Sequence, residues 1–251
     1  MTAYSKQLII FDKDDTLTPS KGVMDSEMAG LLVRLLERKK VAVISGSSFP
    51  LFDIQVLHAL PHNVPNISNL IILPVSGTQL YTWKGSWVAE YTEHLSLKEK
   101  EKIMISINSA LKQAHYEAPA RIYGDLIEDR GSQITFSALG QNAPLEAKKA
   151  WDPDRTKRNA IADFLISRIP EFDIRLGGTT SIDITKRGVN KGYGIRKLEE
   201  YLKIPLESMV FVGDALFRGG NDYPAKATGI DCIQVSGPEE TKKLIASWLV
   251  D

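Results

Sequence analysis

The run Leu8-Ile9-Ile10-Phe11, followed at once by Asp12-Lys13-Asp14-Asp15, constrains this chain more than any other stretch. Four consecutive apolar residues read as a strand buried on both faces. In a parallel α/β sheet, chemistry collects just beyond the carboxyl ends of the strands, where these carboxylates would stand. Three crowded carboxylates repel one another and require a cation, most simply Mg²⁺. An Asp can attack phosphorus to give an aspartyl-phosphate, which makes Asp12 the candidate nucleophile. Asp14, two residues on and on the same side of an extended chain, is the candidate general acid/base. From this stretch alone, an acidic turn capping the next helix is the other reading.

Further buried strands are expected at Val41–Ile44, Leu70–Leu73, Met209–Val212 and Cys232–Val235. Met28, Leu31, Leu32, Leu35 and Leu36 recur at helical spacing, with Asp25 or Ser26 available as a cap. Ser45-Gly46-Ser47-Ser48 follows the Val41–Ile44 strand, where hydroxyls and free helix N–H groups suit phosphate. A plain helix cap is the alternative there. Gly213-Asp214 ends the Met209 strand, and Gly219-Gly220-Asn221-Asp222 lies shortly beyond.

The strand-helix alternation breaks at a hairpin from Tyr81 to Trp87 around Lys84-Gly85. From about Ser86 to Gly178 a helix (Leu97 to His115), two β-like runs (Ile122 to Asp129, Gln133 to Leu139) and a helix around Ala160 to Ile169 suggest an α+β module. Ser181 and Asp183 alternate with apolar residues and so share one face of a strand. Lys191 opens a helix with Ile195, Leu198 and Leu202 on its buried face. A cation at a helix start opposes the macrodipole, which argues for an anionic partner nearby.

At 251 residues two domains are a fair expectation, and a closing helix is expected from Thr241 to Leu249. Lys plus Arg equals Asp plus Glu at 31 each, so no global field recruits nucleic acid or an acidic membrane. The single Cys232 excludes an intramolecular disulfide, fits a reducing cytosol, and reads as a core thiol. Met1 to Gln7 is polar without a signal-peptide pattern, and no stretch has the length of a membrane span. A soluble cytoplasmic protein is expected. Phosphate-loop, dinucleotide-binding and His-Glu-x-x-His signatures are missing from the sequence.

The pattern strand-Asp-x-Asp-x-Thr-Leu-Thr through Thr18, then Ser45, Lys191 and Gly213-Asp214, resembles the four motifs of the haloacid dehalogenase (HAD) superfamily of phosphotransferases, in that family's order. Thr18-Pro19 and Gly219 to Asp222 are similar to its phosphomannomutase and sugar-phosphatase branch. Asp15 departs from the pattern, which usually has Gly there. The resemblance implies an α/β, Rossmann-like HAD core at 1–85 and 183–251, with an inserted α/β (C2B-type) cap domain at 86–182.

It further implies that Asp12 is the nucleophile, Asp14 the acid/base, Ser45 a phosphoryl ligand and Lys191 the neutralising cation. Mg²⁺ would be held by Asp12, the Asp14 backbone carbonyl, Asp214 and Asp222. Substrate contacts would fall on Lys21, Gly46, Arg130, Ser181, Asp183 and Asn221. Lys21 is otherwise a solvated loop lysine, and Ser181 and Asp183 an exposed strand face. Two further arginines of the phosphomannomutase pattern fall on Tyr123 and Gln141, neither of which supplies the charge. Lys148, Lys149, Arg155, Lys157 and Arg158 read as a solvated charged face, with compensation for those arginines as the alternative.

The expected activity is Mg²⁺-dependent phosphoryl transfer through an aspartyl-phosphate on Asp12. Hydrolysis of a sugar phosphate stands first and phosphomannomutase activity is the alternative. A non-catalytic binding module, for which Asp15 is the hint, stands third. Caps of phosphomannomutases pair, so a homodimer through the cap is also implied.

Overall fold

Strand β1 (Leu8–Asp12) is buried along its whole length, because it lies inside a sheet covered on both faces. The computed structural model describes residues 5–250, so the polar opening segment Met1–Gln7 lies partly outside the described residues. The chain divides into two units, Met1–Thr92 with Val189–Asp251, and Glu93–Gly188.

In the first unit, β1 pairs in parallel with β2 (Lys40–Ile44) and β10 (Met209–Gly213). β3 (Leu70–Leu73) extends the parallel sheet beside β2, and β11 (Asp231–Gln234) does so beside β10. The hairpin β4 (Gln79–Trp83) and β5 (Trp87–Thr92) adds antiparallel strands beyond β3. The order is thus β11-β10-β1-β2-β3-β4-β5.

Alternation along each strand feeds two cores. Ile9, Phe11, Val41, Val43, Val210 and Val212 pack against Leu32 and Leu35 of α1 (Ser26–Leu36) and Ile245 and Trp248 of α8 (Pro238–Leu249). Leu8, Ile10, Ala42, Ile44 and Phe211 face Ile195 and Leu198 of α6 (Lys191–Leu202). Each fully buried side chain of this size contributes roughly 1.5–3 kcal/mol. Asp25 caps α1 by accepting from Met28 N at 2.9 Å, as expected of an acidic N-cap.

The second unit is a four-stranded antiparallel sheet of order β6-β7-β9-β8: Ile127–Asp129, Gln133–Ser137, Ser181–Lys186 and Phe172–Gly177. Ile134, Phe136, Ile182 and Ile184 pack on Ile103 and Ile107 of α3 (Leu97–Gln113) and Ile161 and Leu165 of α5 (Thr156–Arg168). Ser96 and Glu99 close a capping box at the start of α3.

The expected junctions at 85/86 and 182/183 fall elsewhere, and pairing is the reason. β5 hydrogen-bonds to β4 and stays with the first sheet, while β9 lies between β7 and β8 in the second. The run from Ile122 is strand only from Ile127, and β7 ends at Ser137 rather than Leu139. In the second unit two elements escaped the pattern: α4 (Leu145–Trp151), hidden in a polar insert, and β8, whose Asp173 and Arg175 interrupt its apolar run. Cys232 is half-buried rather than a core thiol, since its strand lies at a sheet edge. Among the described residues no helix is long and apolar enough to cross a membrane.

Candidate active site

The carboxyl ends of β1, β2 and β10 present the motif residues side by side. Asp12 ends β1 with 1% of its surface exposed. Lys191 is placed by the start of α6, where Asn190 Oδ1 accepts from Tyr193 N at 3.0 Å and sets the helix entry. Its Nζ lies 2.6 Å from Asp12 Oδ1 and 2.5 Å from Asp222 Oδ1, the anionic partners its helix position demanded. The other oxygen of Asp222 accepts from Ala215 N at 3.0 Å. Gly213 leaves room for that carboxylate: a Cβ there would stand 2.4 Å from Asp222 Oδ2.

Ligand oxygens of Asp12, Asp214 and Asp222 all lie within 4.8 Å of one another. Asp12 Oδ2 is buried and has no hydrogen-bond partner. A hard, all-oxygen donor set with an orphaned carboxylate oxygen fits a divalent cation. The electrostatics point the same way. Burial pushes the Asp12 carboxyl up to about 8, with Asp222 and Asp14 adding to the rise and Lys191 opposing it. Burial and Asp222 push Asp214 up to about 6. Burial would lower the Lys191 ammonium, but Asp12 and Asp222 outweigh it and hold the group above its ordinary value. A bound cation reverses such shifts at its carboxylate ligands.

The Asp14 side chain is not in that cluster. Its Oδ2 accepts from Ser45 Oγ at 3.3 Å and lies 3.1 Å from Lys13 Nζ, and its Oδ1 accepts from Lys21 N at 2.8 Å. Lys21 is exposed on the loop and its backbone, at φ 56°, is left-handed. Asp15 also takes a left-handed conformation (φ 56°), the role a Gly would fill, and its Oδ1 accepts from Ser20 N at 3.0 Å. Gly46 is half-buried beside Ser45, and Asn221 is exposed on the loop before Asp222.

Arg130, Ser181 and Asp183 belong to the second unit. Arg130 pairs with Glu128 at 2.7 Å. Ser181 and Asp183 stand on the polar face of the four-stranded sheet, opposite its helix-covered face. Ser181 Oγ lies 3.0 Å from Ser137 Oγ. Gln133 donates to Thr135 and Thr135 to Asp183 Oδ1, each at 2.8 Å. This linkage orients the Asp183 carboxylate from two positions away on a neighbouring strand.

The solvated basic face is a correction in two places. Lys148 is 6% exposed and donates to Gln141 O at 2.7 Å. Arg158 is 3% exposed, paired with Asp152 Oδ2 at 2.7 Å and donating to Gly178 O. Sequence reasoning also missed Lys13 and Gln55, both buried beside Asp14. A lysine between two carboxylates of the first motif was the signal.

A sheet with parallel strands at its centre, motif residues at its strand tips and a separate α/β insertion define a HAD-superfamily core with a cap. A family described as eukaryotic phosphomannomutase matches residues 28–250, and the chain belongs to that family. It is 28% identical over 250 residues to a phosphomannomutase of Spinacia oleracea, covering 97% of this chain and 96% of that one. Against phosphomannomutase 2 of Dictyostelium discoideum it is 27% identical over 231 residues, covering 89% and 88%.

Solved structures share the fold. The IMP-nucleotidase of Plasmodium falciparum has a TM-score of 0.71 at 17% identity, covering 99% of this chain and 70% of that one. A haloacid dehalogenase-like hydrolase from Bacteroides thetaiotaomicron has a TM-score of 0.63 at 15% identity, covering 96% and 99%. The chain is therefore an enzyme of phosphoryl transfer. The relatives' names favour the mutase alternative over the hydrolysis expected first.

Proposed function

We propose that this chain is a phosphomannomutase, interconverting mannose 1-phosphate and mannose 6-phosphate with Mg²⁺. The family match across 28–250, which runs through the whole second unit, carries this reading. A hexose bisphosphate phosphorylates the enzyme first. An Asp12 carboxylate oxygen bonds to phosphorus, the phosphorus–sugar oxygen bond breaks, and that oxygen takes a proton from Asp14. In the return step a sugar hydroxyl gives its proton to Asp14, its oxygen bonds to phosphorus, and Asp12 is released.

Lys191 offsets charge on Asp12 and the phosphoryl oxygens, and Ser45 with Gly46 orients those oxygens. Asp12, the Asp14 backbone carbonyl, Asp214 and Asp222 would hold Mg²⁺. When bound, the ion shields the carboxylates from the incoming phosphate. Lys21 and Asn221 are assigned to substrate at the core, and Arg130, Ser181 and Asp183 to sugar and distal phosphate at the cap. Pairing of two caps in a homodimer belongs to the same reading.

Hydrolysis of a sugar phosphate is the second reading, favoured by Tyr123 and Gln141 where the family pattern has arginines. Each position nonetheless has a cation beside it. The Arg121 guanidinium lies 4.7 Å from the centre of the Tyr123 ring, and Lys148 binds the Gln141 carbonyl.

The deciding assay supplies mannose 1-phosphate, Mg²⁺ and a hexose bisphosphate activator, and follows mannose 6-phosphate and free phosphate together. Isomer without stoichiometric phosphate, lost in Asp12→Asn, is expected. Steady phosphate release without isomer would replace the mutase by the hydrolase, and neither product would end both.

A further inference from the structure

Four polar contacts close a ring around the Asp14 carboxylate, and two of its members, Lys13 and Gln55, have no part in the chemistry above. Lys13 Nζ lies 3.1 Å from Asp14 Oδ2 and donates to Gln55 Oε1. Gln55, the last residue of α2 (Phe49–Gln55), donates through Nε2 to Lys21 O at 3.0 Å. Lys21 N then returns to Asp14 Oδ1 at 2.8 Å. The Gln55 carbonyl also accepts from Met24 N at 2.8 Å, so one residue holds the loop at two points.

The choice of lysine at position 13 is not explained by packing. The side chain is 1% exposed, with its Nζ 5.8 Å from the centre of the Phe52 ring. An apolar side chain would fill that space without the desolvation that a buried ammonium incurs. What the ammonium adds is direction: a charged donor shared between Asp14 Oδ2 and the Gln55 amide. The amide adds the second direction, to the loop that carries Lys21. Asp14 is thereby held through both oxygens, from opposite ends of one hydrogen-bonded circuit.

We propose that Lys13 and Gln55 are positioning residues, an ammonium–amide tether that aims the Asp14 carboxylate and ties it to the Lys21 loop. The inference rests on the assignment of Asp14 as proton donor and acceptor. Placement of that group matters where a sugar oxygen is protonated as its bond to phosphorus breaks, and again where a hydroxyl gives up its proton in the return step. Release of p-nitrophenolate as phosphorus moves to Asp12 needs no proton, so the first-turnover burst of p-nitrophenol is indifferent to it.

The test compares wild type, Lys13→Met, Gln55→Leu and the double variant on a hexose bisphosphate and on p-nitrophenyl phosphate, with thermal melts to confirm folding. Lys13→Met is expected to lower kcat for the sugar substrate about tenfold or more, with KM changed less than about twofold. The first-turnover burst of p-nitrophenol from p-nitrophenyl phosphate should stay within about threefold of wild type in rate, and on the sugar substrate the double variant should be no worse than Lys13→Met. Gln55→Leu keeps the ammonium and should show the same selectivity at smaller size. Equal losses on both substrates, or losses on neither, would overturn the tether while leaving Asp14 in place. A wild type inert toward both substrates would overturn the phosphoryl-transfer assignment itself, and the tether with it.

Discussion

Lys191 holds one oxygen of Asp12 at 2.6 Å, while the other oxygen of the same buried carboxylate has no protein partner. The ammonium fixes the nucleophile's orientation and offsets part of the charge of a crowded acidic site, and the open oxygen is what a cation or phosphorus would meet.

Removing that ammonium should cost both stability and turnover. Lys191→Met leaves Asp12 and Asp222 buried without their shared cation, a loss of roughly 3–5 kcal/mol for a broken buried pair. Urea denaturation in the presence of a chelator measures it. A change below about 1 kcal/mol would mean that neighbouring groups already neutralise the site.

Mg²⁺ should stabilise the folded chain before any substrate is present. At a free concentration a hundred times its Kd, a single site adds about 2.7 kcal/mol. Thermal melts with Mg²⁺ and with EDTA should therefore differ in wild type and coincide in Asp214→Asn. An identical shift in the variant would place the ion elsewhere.

The second unit depends on a buried ion pair of its own. Asp152 accepts from Arg158 Nε at 2.7 Å and from the backbone N–H of Lys157 and Arg158, with both side chains almost wholly enclosed. Arg158→Met strands the carboxylate, and a loss of roughly 3–5 kcal/mol follows. Hydrogen exchange should show it first in α5 and around Gly178, whose carbonyl Arg158 also holds.

Acid should weaken the contact between α1 and α8 through Asp25. A hydrogen bond from Lys242, then one from the Met28 N–H, hold the Asp25 carboxyl below its ordinary value. A depressed carboxyl contributes stability that is complete above its unfolded value of about 3.9 and lost as pH falls through its folded value. The acid limb of a stability-against-pH curve should therefore be shallower in Asp25→Asn than in wild type. Because Asp25 is largely exposed, salt should shrink the difference.

Much of this protein was written locally. Leu8 to Phe11 must be a doubly covered strand because nothing polar interrupts it, and Asp12 and Asp14 must then emerge at its tip. Asp214 was legible for the same reason, at the end of the Met209 strand, whereas Lys191 was legible as a cation at a helix start, through its likeness to the family's third motif. Asp173 and Arg175 hid β8, since a strand at a sheet edge keeps charged residues that a central strand would reject.

Other features existed only once distant segments met. Gln55 reads as an ordinary helical glutamine until α2 brings it to Lys13 and the Lys21 loop. Lys148 and Arg158 look like solvent-facing charges until Gln141 and Asp152 enclose them. The junctions between the units were set by which strand found which partner. Hydrophobic period is a property of neighbours in the chain, whereas the pairing of a charge or a strand edge is a property of neighbours in space, and only folding decides those.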